Sequence, residues 1–219
     1  MTIWLSWSSG KDCAWALHRL RQEGRAVSAL FTTVNAAADR VAMHGVRREL
    51  LEAQAHATGL PLRIIPLPWP CSNAQYEQIM ADFLRRARAG NVTHMAFGDL
   101  FLEDIRAYRE KNLAGTGIEP LFPLWGVATD RLAREMVSSG MRARLATVDL
   151  AKLSASFAGR SYDAALVAEL PGGVDPCGEN GEFHTFVTDG PMFRAPVDVE
   201  VGEIVLRDGF AFADLLLPR

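Results

Sequence analysis

Two stretches of the chain combine residue types and spacings that could do chemistry. The first is Ser8-Ser9-Gly10-Lys11-Asp12-Cys13. Small residues let a backbone approach a phosphate closely, a helix start offers unpaired N–H groups to an anion, and the hydroxyls and Lys11 add donors. It is not a Walker A loop, because Leu5 stands where the first glycine belongs and Asp12 replaces Ser/Thr. Taken alone, the same residues also suit an ordinary N-capped helix after a strand. The second stretch, Gly178-Glu-Asn-Gly-Glu-Phe-His-Thr185, sets Glu179, Glu182 and His184 within six residues. Two carboxylates and an imidazole could bind a cation or act as a general base, and Gly178 and Gly181 allow a sharp turn. By residue type alone it reads first as a polar hairpin loop with exposed Glu. Glu103, Arg106 and Arg109 recur at i, i+3, i+6, so Arg106 either meets a substrate carboxylate or pairs with Glu103. Trp125 either stacks on substrate or joins the core.

The elements that must position these residues follow from periodicity. Ile3 to Trp7 reads as a strand, and Cys13, Ala16, Leu17 and Leu20 then recur at helical spacing until Gly24. Further strands are expected at Val27–Thr33, Leu62–Leu67 and His94–Phe97. Helices are expected from Val46 to Ala57 before Gly59, over Tyr76–Ala87 with a Ser72/Gln75 capping box, from Leu102 to Leu113, and over Leu132–Val137. Regular β-α alternation predicts a parallel sheet with helices on both faces, and ligands beyond the carboxyl ends of its strands. After Gly140 the pattern changes to a strand at Ala143–Val148, a short helix at Ala164–Leu170, a Gly-rich loop and β-like runs at 184–188, 197–206 and 210–216. The expected division is a phosphate-binding domain over 1–140 and a smaller domain over 141–219.

The composition narrows the functions open to such a chain. In 219 residues, 23 Lys plus Arg oppose 26 Asp plus Glu, a net of −3, which excludes a strongly basic protein held to nucleic acid by phosphate neutralisation. Up to Gly140 there are 16 basic and 14 acidic residues (+2), and after it 7 and 12 (−5). Cys13, Cys71 and Cys177 are widely spaced with no CxxC pair, a pattern that fits a reducing cytoplasm rather than a disulfide framework or thiolate zinc site. No apolar run reaches the length of a membrane span, and the start of the chain has neither the basic leader nor the apolar run of a signal peptide. No membrane association and no stable nucleic-acid partner are expected.

The Ser8–Cys13 loop, opening after the first strand, resembles the SGGxDS/T pyrophosphate loop of the ATP pyrophosphatase superfamily, with Ser9 in place of the first glycine and Cys13 in place of the last Ser/Thr. Three later segments resemble signatures of the diphthine–ammonia ligase family: Gly98-Asp-Leu-Phe-Leu-Glu-Asp-Ile-Arg-Ala-Tyr-Arg109, Glu119-Pro-Leu-Phe-Pro-Leu-Trp125 and Gly178 to Thr185. The resemblance implies a Rossmann-like nucleotide α-hydrolase domain of the PP-loop type with a smaller C-terminal α+β domain. It also implies an enzyme that adenylates a carboxylate with ATP and Mg²⁺, releases pyrophosphate, and transfers ammonia to displace AMP. The acceptor is a small molecule or diphthine on elongation factor 2. By the same resemblance Ser8, Ser9, Gly10, Lys11, Asp12 and Cys13 hold the phosphates, with Asp12 a Mg²⁺ contact. Phe31, Thr32, His44, Gly98 and Asp99 border the nucleotide. Glu103, Arg106, Trp125, Glu179, Gly181 and Glu182 meet the substrate, and Lys11, Asp12, Glu182 and His184 are catalytic.

Two rivals remain at this stage. A PP-loop tRNA sulfurtransferase would use Cys71 and Cys177 for persulfide chemistry, although the chain is mildly acidic and its one dense basic run, Arg85, Arg86 and Arg88, suits a solvated helix face. A non-catalytic ATP-binding protein would keep the loop without turnover. With no room seen for a glutaminase, a ligase of this size is expected to use free ammonia.

Overall fold

The computed structural model describes residues 1–41 and 45–218. In chain order it runs β1 (Ile3–Ser6), α1 (Lys11–Gln22), β2 (Val27–Asn35), β3 (Arg40–Val41), α2 (Arg48–Thr58), β4 (Leu62–Leu67), α3 (Asn73–Ala89), β5 (His94–Ala96), α4 (Glu103–Leu113), β6 (Glu119–Leu121) and α5 (Thr129–Ser138). Then follow β7 (Arg142–Asp149), α6 (Ala164–Glu169), β8 (Phe183–Asp189), β9 (Glu200–Arg207) and β10 (Phe210–Leu216).

The first sheet is parallel apart from the short β3. Leu30 and Phe31 of β2 pair with β1 on one edge and with β4 on the other, so the parallel strands lie in the order β4-β2-β1-β5-β6. The order reverses between β1 and β5, which is where such sheets open a crevice for ligand. Side chains alternate as the pleat requires: Ile3, Leu5 and Trp7 enter the core shared with α1, α2 and α5, while Trp4 turns to a second core built from Phe31, Phe83, Leu84, Phe97 and Leu113. Helices therefore cover both faces, as expected.

Local sequence sets the helix ends. The Ser72 side chain accepts from the Gln75 N–H and Gln75 returns the bond, completing the predicted capping box. Gly59 stops α2 at φ +71°, in the left-handed region that glycine enters without steric cost. Two details differ from the periodicity: β2 runs on to Asn35, and the short β3, which the periodicity did not mark, forms a hairpin with its end.

The second sheet is antiparallel, in the order β8-β7-β10-β9. It docks onto the first through α1 and β8, the Val187 N–H donating to the Ser9 carbonyl at 3.0 Å. One continuous core joins the two sheets, from Ile3 to Leu215. Among the described residues no helix is long and apolar enough to cross a membrane.

Candidate active site

The turn from β1 into α1 is built by strain and by long-range bonds. Ser9 adopts φ +72°, the backbone region that costs a residue with a Cβ about 1–2 kcal/mol and glycine nothing; this is the position where the resembling motif carries glycine. The conformation is held because the fully buried Ser9 offers its carbonyl to both the Val187 N–H and Gln54 Nε2. Gln54, on α2, also accepts from Trp7 Nε1 at 2.9 Å and donates to the Val187 carbonyl at 2.6 Å. One buried amide thus ties the strand, the turn and the second sheet. Gly10 caps α1 without a side-chain bond, and the Lys11 N–H donates to Thr185 Oγ1 at 3.0 Å. The helix start and its partial positive charge face the crevice.

Gly98, at the end of β5, makes room for that helix. A Cβ here would lie 2.8 Å from the Asp12 carbonyl carbon and the Cys13 nitrogen. The α1 backbone fills the space where its Cβ would be, and Gly98 still lines the crevice.

The Lys11 side chain is engaged within the protein. Its side chain is 2 % exposed and its ammonium donates to both Asp12 oxygens, at 3.0 and 2.8 Å, and to the Cys177 carbonyl. It lies 5.8 and 5.6 Å from the ring centroids of Tyr162 and Phe183. Burial works against the ammonium, but Asp12 and the groups around Cys177 outweigh it and hold the Lys11 pKa above its ordinary value. Lys11 is therefore a clamp between the turn and the Gly-rich loop. For Asp12, burial raises the carboxyl pKa while Lys11 pulls it back. With 26 % of its side chain open to the crevice, Asp12 is the half of the pair that a ligand can touch.

The loop before β8 is organised by Asp175, which sequence reasoning missed. Its carboxylate accepts from the Cys177 and Glu179 N–H groups at 3.2 and 2.9 Å, and its own N–H donates to Glu182 Oε1 at 3.2 Å. Tyr162 donates to the Pro176 carbonyl at 2.8 Å. Gly178 and Gly181 take φ +67° and +82°, the sharp turn their identity allowed. Glu182 is buried inside this loop, with Asn180 Nδ2 also on its Oε1 and its Oε2 unpartnered. It shapes the loop and does not line the crevice. Glu179 does line it, with Oε1 accepting from the Leu100 N–H at 2.8 Å.

The resulting cavity of about 260 Å³ brings together Ser8, Gly10, Lys11, Asp12, Cys13, Gly98, Asp99, Glu179 and His184 from the sequence expectations. It adds Thr185, Phe183, Leu102, Ile105 and Arg109. Burial lifts the Glu179 carboxyl to about 7, with Asp12 and Asp99 reinforcing the shift. Such a group can exchange a proton at neutral pH. His184 is pushed the other way, to about 4, by burial and by Lys11, so it stands as a neutral imidazole and a weak base. Burial raises Asp99 too, against the pull of Arg109, whose Nε lies 3.4 Å from Oδ2. The Arg109 guanidinium also sits 4.9 Å over the Phe97 ring. With Lys11 occupied, Arg109 is the side-chain cation best placed to meet an anion in the cavity.

Other expected site residues lie elsewhere. Phe31 is buried between Phe83 and Phe97, and Thr32 is buried beside it in mid-strand; neither lines the cavity. Ser9 supports the turn from below. Arg106 pairs with Glu110 at 2.8 Å, not with Glu103, and its guanidinium stacks 5.0 and 4.7 Å from Phe122 and Trp125. Glu103 is exposed, and Gly181 bends the loop without lining the cavity. His44 lies outside the described residues.

Two family models and several relatives match the chain. The family model described as the diphthamide synthase N-terminal domain matches residues 1–119, and that of the diphthamide synthase C-terminal domain matches residues 128–214. The human protein named diphthine--ammonia ligase is 33% identical over 124 residues, 54% of this chain and 46% of the relative. The rat protein of that name is 31% identical over the same shares, and the zebrafish protein 33% identical over 51% of this chain and 46% of its own. The matches thus span about half the length of these curated relatives. A crystal structure described as a predicted subunit of a tRNA methyltransferase from Methanocaldococcus jannaschii superposes with a TM-score of 0.42 at 19% identity, covering 70% of this chain and 80% of that one. At that distance the likeness carries no argument. With both domain models matched in order along one chain, this protein belongs to the diphthamide synthase family.

Proposed function

We propose that this protein is an ATP-dependent carboxylate–ammonia ligase: it adenylates a carboxylate and converts it to an amide. The observation that carries the reading is the meeting of two distant segments at one cavity, the anion-accepting start of α1 and the loop bearing Glu179. The relatives' name, diphthine--ammonia ligase, fits the same chemistry. The acceptor is then the carboxylate of diphthine on elongation factor 2, or a small carboxylic acid in an organism without it.

In this reading the α1 start and Ser8 hold the terminal phosphates of ATP, as backbone and hydroxyl donors do for anions. An acceptor carboxylate oxygen attacks the α-phosphorus, the bond to the β-phosphate oxygen breaks, and pyrophosphate leaves. Arg109 meets the anionic acceptor or the departing charge. Ammonia then attacks the acyl carbon and AMP departs with the former carboxylate oxygen, while Glu179 accepts the proton that the new C–N bond releases. Neutral His184 offers a hydrogen bond within the cavity rather than a strong base.

Magnesium suits the donors present. Asp12, Asp99 and Glu179 line the cavity, yet among the described residues no three His, Cys, Asp or Glu side chains form a metal cage of their own. Mg²⁺ is commonly held by one or two carboxylates, water and substrate phosphates, and Asp12 would supply the first of these. When bound, it neutralises charge on the leaving pyrophosphate.

Sulfur transfer fits less well, because burial holds the thiol of Cys177, one of the two cysteines that chemistry would use, up at about 12, far from the thiolate that persulfide chemistry needs. Three free cysteines suit a cytoplasmic location. The division near Gly140 belongs to the same proposal, with the first part holding ATP and the second closing over the acceptor. ATP–pyrophosphate exchange, screened against small carboxylic acids and purified elongation factor 2, tests the reading. Exchange that depends on an acceptor supports it, and exchange absent with every acceptor removes adenylation.

A further inference from the structure

Strand β9 differs from the other outer strands in being left open. In the first sheet, outer strand β4 carries Pro66 and outer strand β6 carries Pro120, and a proline cannot donate to a new neighbour. In the second sheet the free side of β8 is covered, with Val187 donating to the Ser9 carbonyl and Thr188 accepting from the Val197 N–H at 2.7 Å. Among the described residues strand β9 bonds only to β10; it contains no proline, and it exposes Ile204, Val205 and Leu206, the last at 63 %. An open apolar edge of this kind is a template for pairing.

Its sequence specifies the partner. The register against β10 shifts around Gly202 and Glu203 and is regular from Ile204 to Arg207, so the segment from the bulge onward reads Glu203-Ile-Val-Leu-Arg207. Turned antiparallel on itself about Val205, this segment opposes Glu203 to Arg207, Ile204 to Leu206 and Val205 to Val205. Both ends meet opposite charge and the centre meets apolar side chains, the self-complementarity that a two-fold contact requires. We infer that β9 pairs with β9 of a second copy, joining two four-stranded sheets into one of eight. Both cavities stay open, since their residues lie on α1, α4 and the β8 side of the sheet.

Sedimentation velocity on the full chain across the micromolar range tests this. The wild type is expected to move from the mass of one 24.0 kDa chain toward twice that with rising concentration. Arg207→Glu sets like charges opposite each other and should hold the chain monomeric with an unchanged circular dichroism spectrum. Glu203→Arg alone should do the same. An equimolar mixture of the two variants restores both ion pairs and should dimerise again. A wild type that stays monomeric throughout, a dimer indifferent to Arg207→Glu, or a mixture that fails to associate overturns the inference.

Discussion

Single residues carry the chemistry through where they are buried. Glu179 holds its proton to about 7 because burial beside Asp12 and Asp99 disfavours the carboxylate. As pH rises through that value the group becomes a proton acceptor, so amide formation should increase from pH 6 to pH 8 with a midpoint near 7. Glu179→Gln is expected to remove this limb and to slow ammonia transfer by about 10²–10⁴-fold, while acceptor-dependent ATP–pyrophosphate exchange survives; a pH–rate series on both enzymes checks it. Lys11 makes a different case. Lys11→Met strands Asp12 and the Cys177 carbonyl, and loss of one partner from a buried pair costs about 3 kcal/mol, somewhat less here because Asp12 is partly open to water. Urea denaturation should show that loss. Unchanged stability with a large rise in KM for ATP would instead make Lys11 a phosphate ligand.

At the scale of elements, the site depends on how closely backbones approach. Gly98 lets β5 pass beneath the first turn of α1, and Gly98→Ala would press a methyl group to within 2.8 Å of two backbone atoms. Overpacking of this kind typically costs about 1–3 kcal/mol. The expected result is a modest fall in Tm with loss of most turnover, because the displaced helix start is the proposed anion site; thermal melts and initial rates together check it. The sequence made the strand-turn-helix order and the capping box legible, since both are local patterns. It misplaced Phe31 and Thr32 because β2 runs past Thr33 to Asn35, which turns a supposed strand end into buried mid-strand. Arg106 was read against Glu103, three positions back, but it pairs four positions ahead with Glu110. Asp175 and Thr185 escaped notice because their roles depend on bonds that composition and spacing do not encode. Thr185 meets the Lys11 N–H across 174 residues, and Asp175 organises a loop that looked only Gly-rich.

For the whole molecule, the expected ATP and acceptor parts, +2 and −5 in charge, both lend residues to the cavity, and one core runs beneath them. Gln54 is the joint. Gln54→Leu would leave Trp7 Nε1 and the Val187 carbonyl without their bonds to it and would take one of two donors from the Ser9 carbonyl. Buried groups left unsatisfied cost about 1–3 kcal/mol each, so a total near 3 kcal/mol is expected in denaturant unfolding, with activity lost before the global transition as the turn loosens. Adenylation is the claim on which the other assignments rest. Phosphorus NMR of the products formed from ATP, Mg²⁺, ammonium and an acceptor that supports exchange tests it most directly. The expected spectrum shows AMP and pyrophosphate in equal amounts, matched by amide formed; ADP and inorganic phosphate in their place would contradict it.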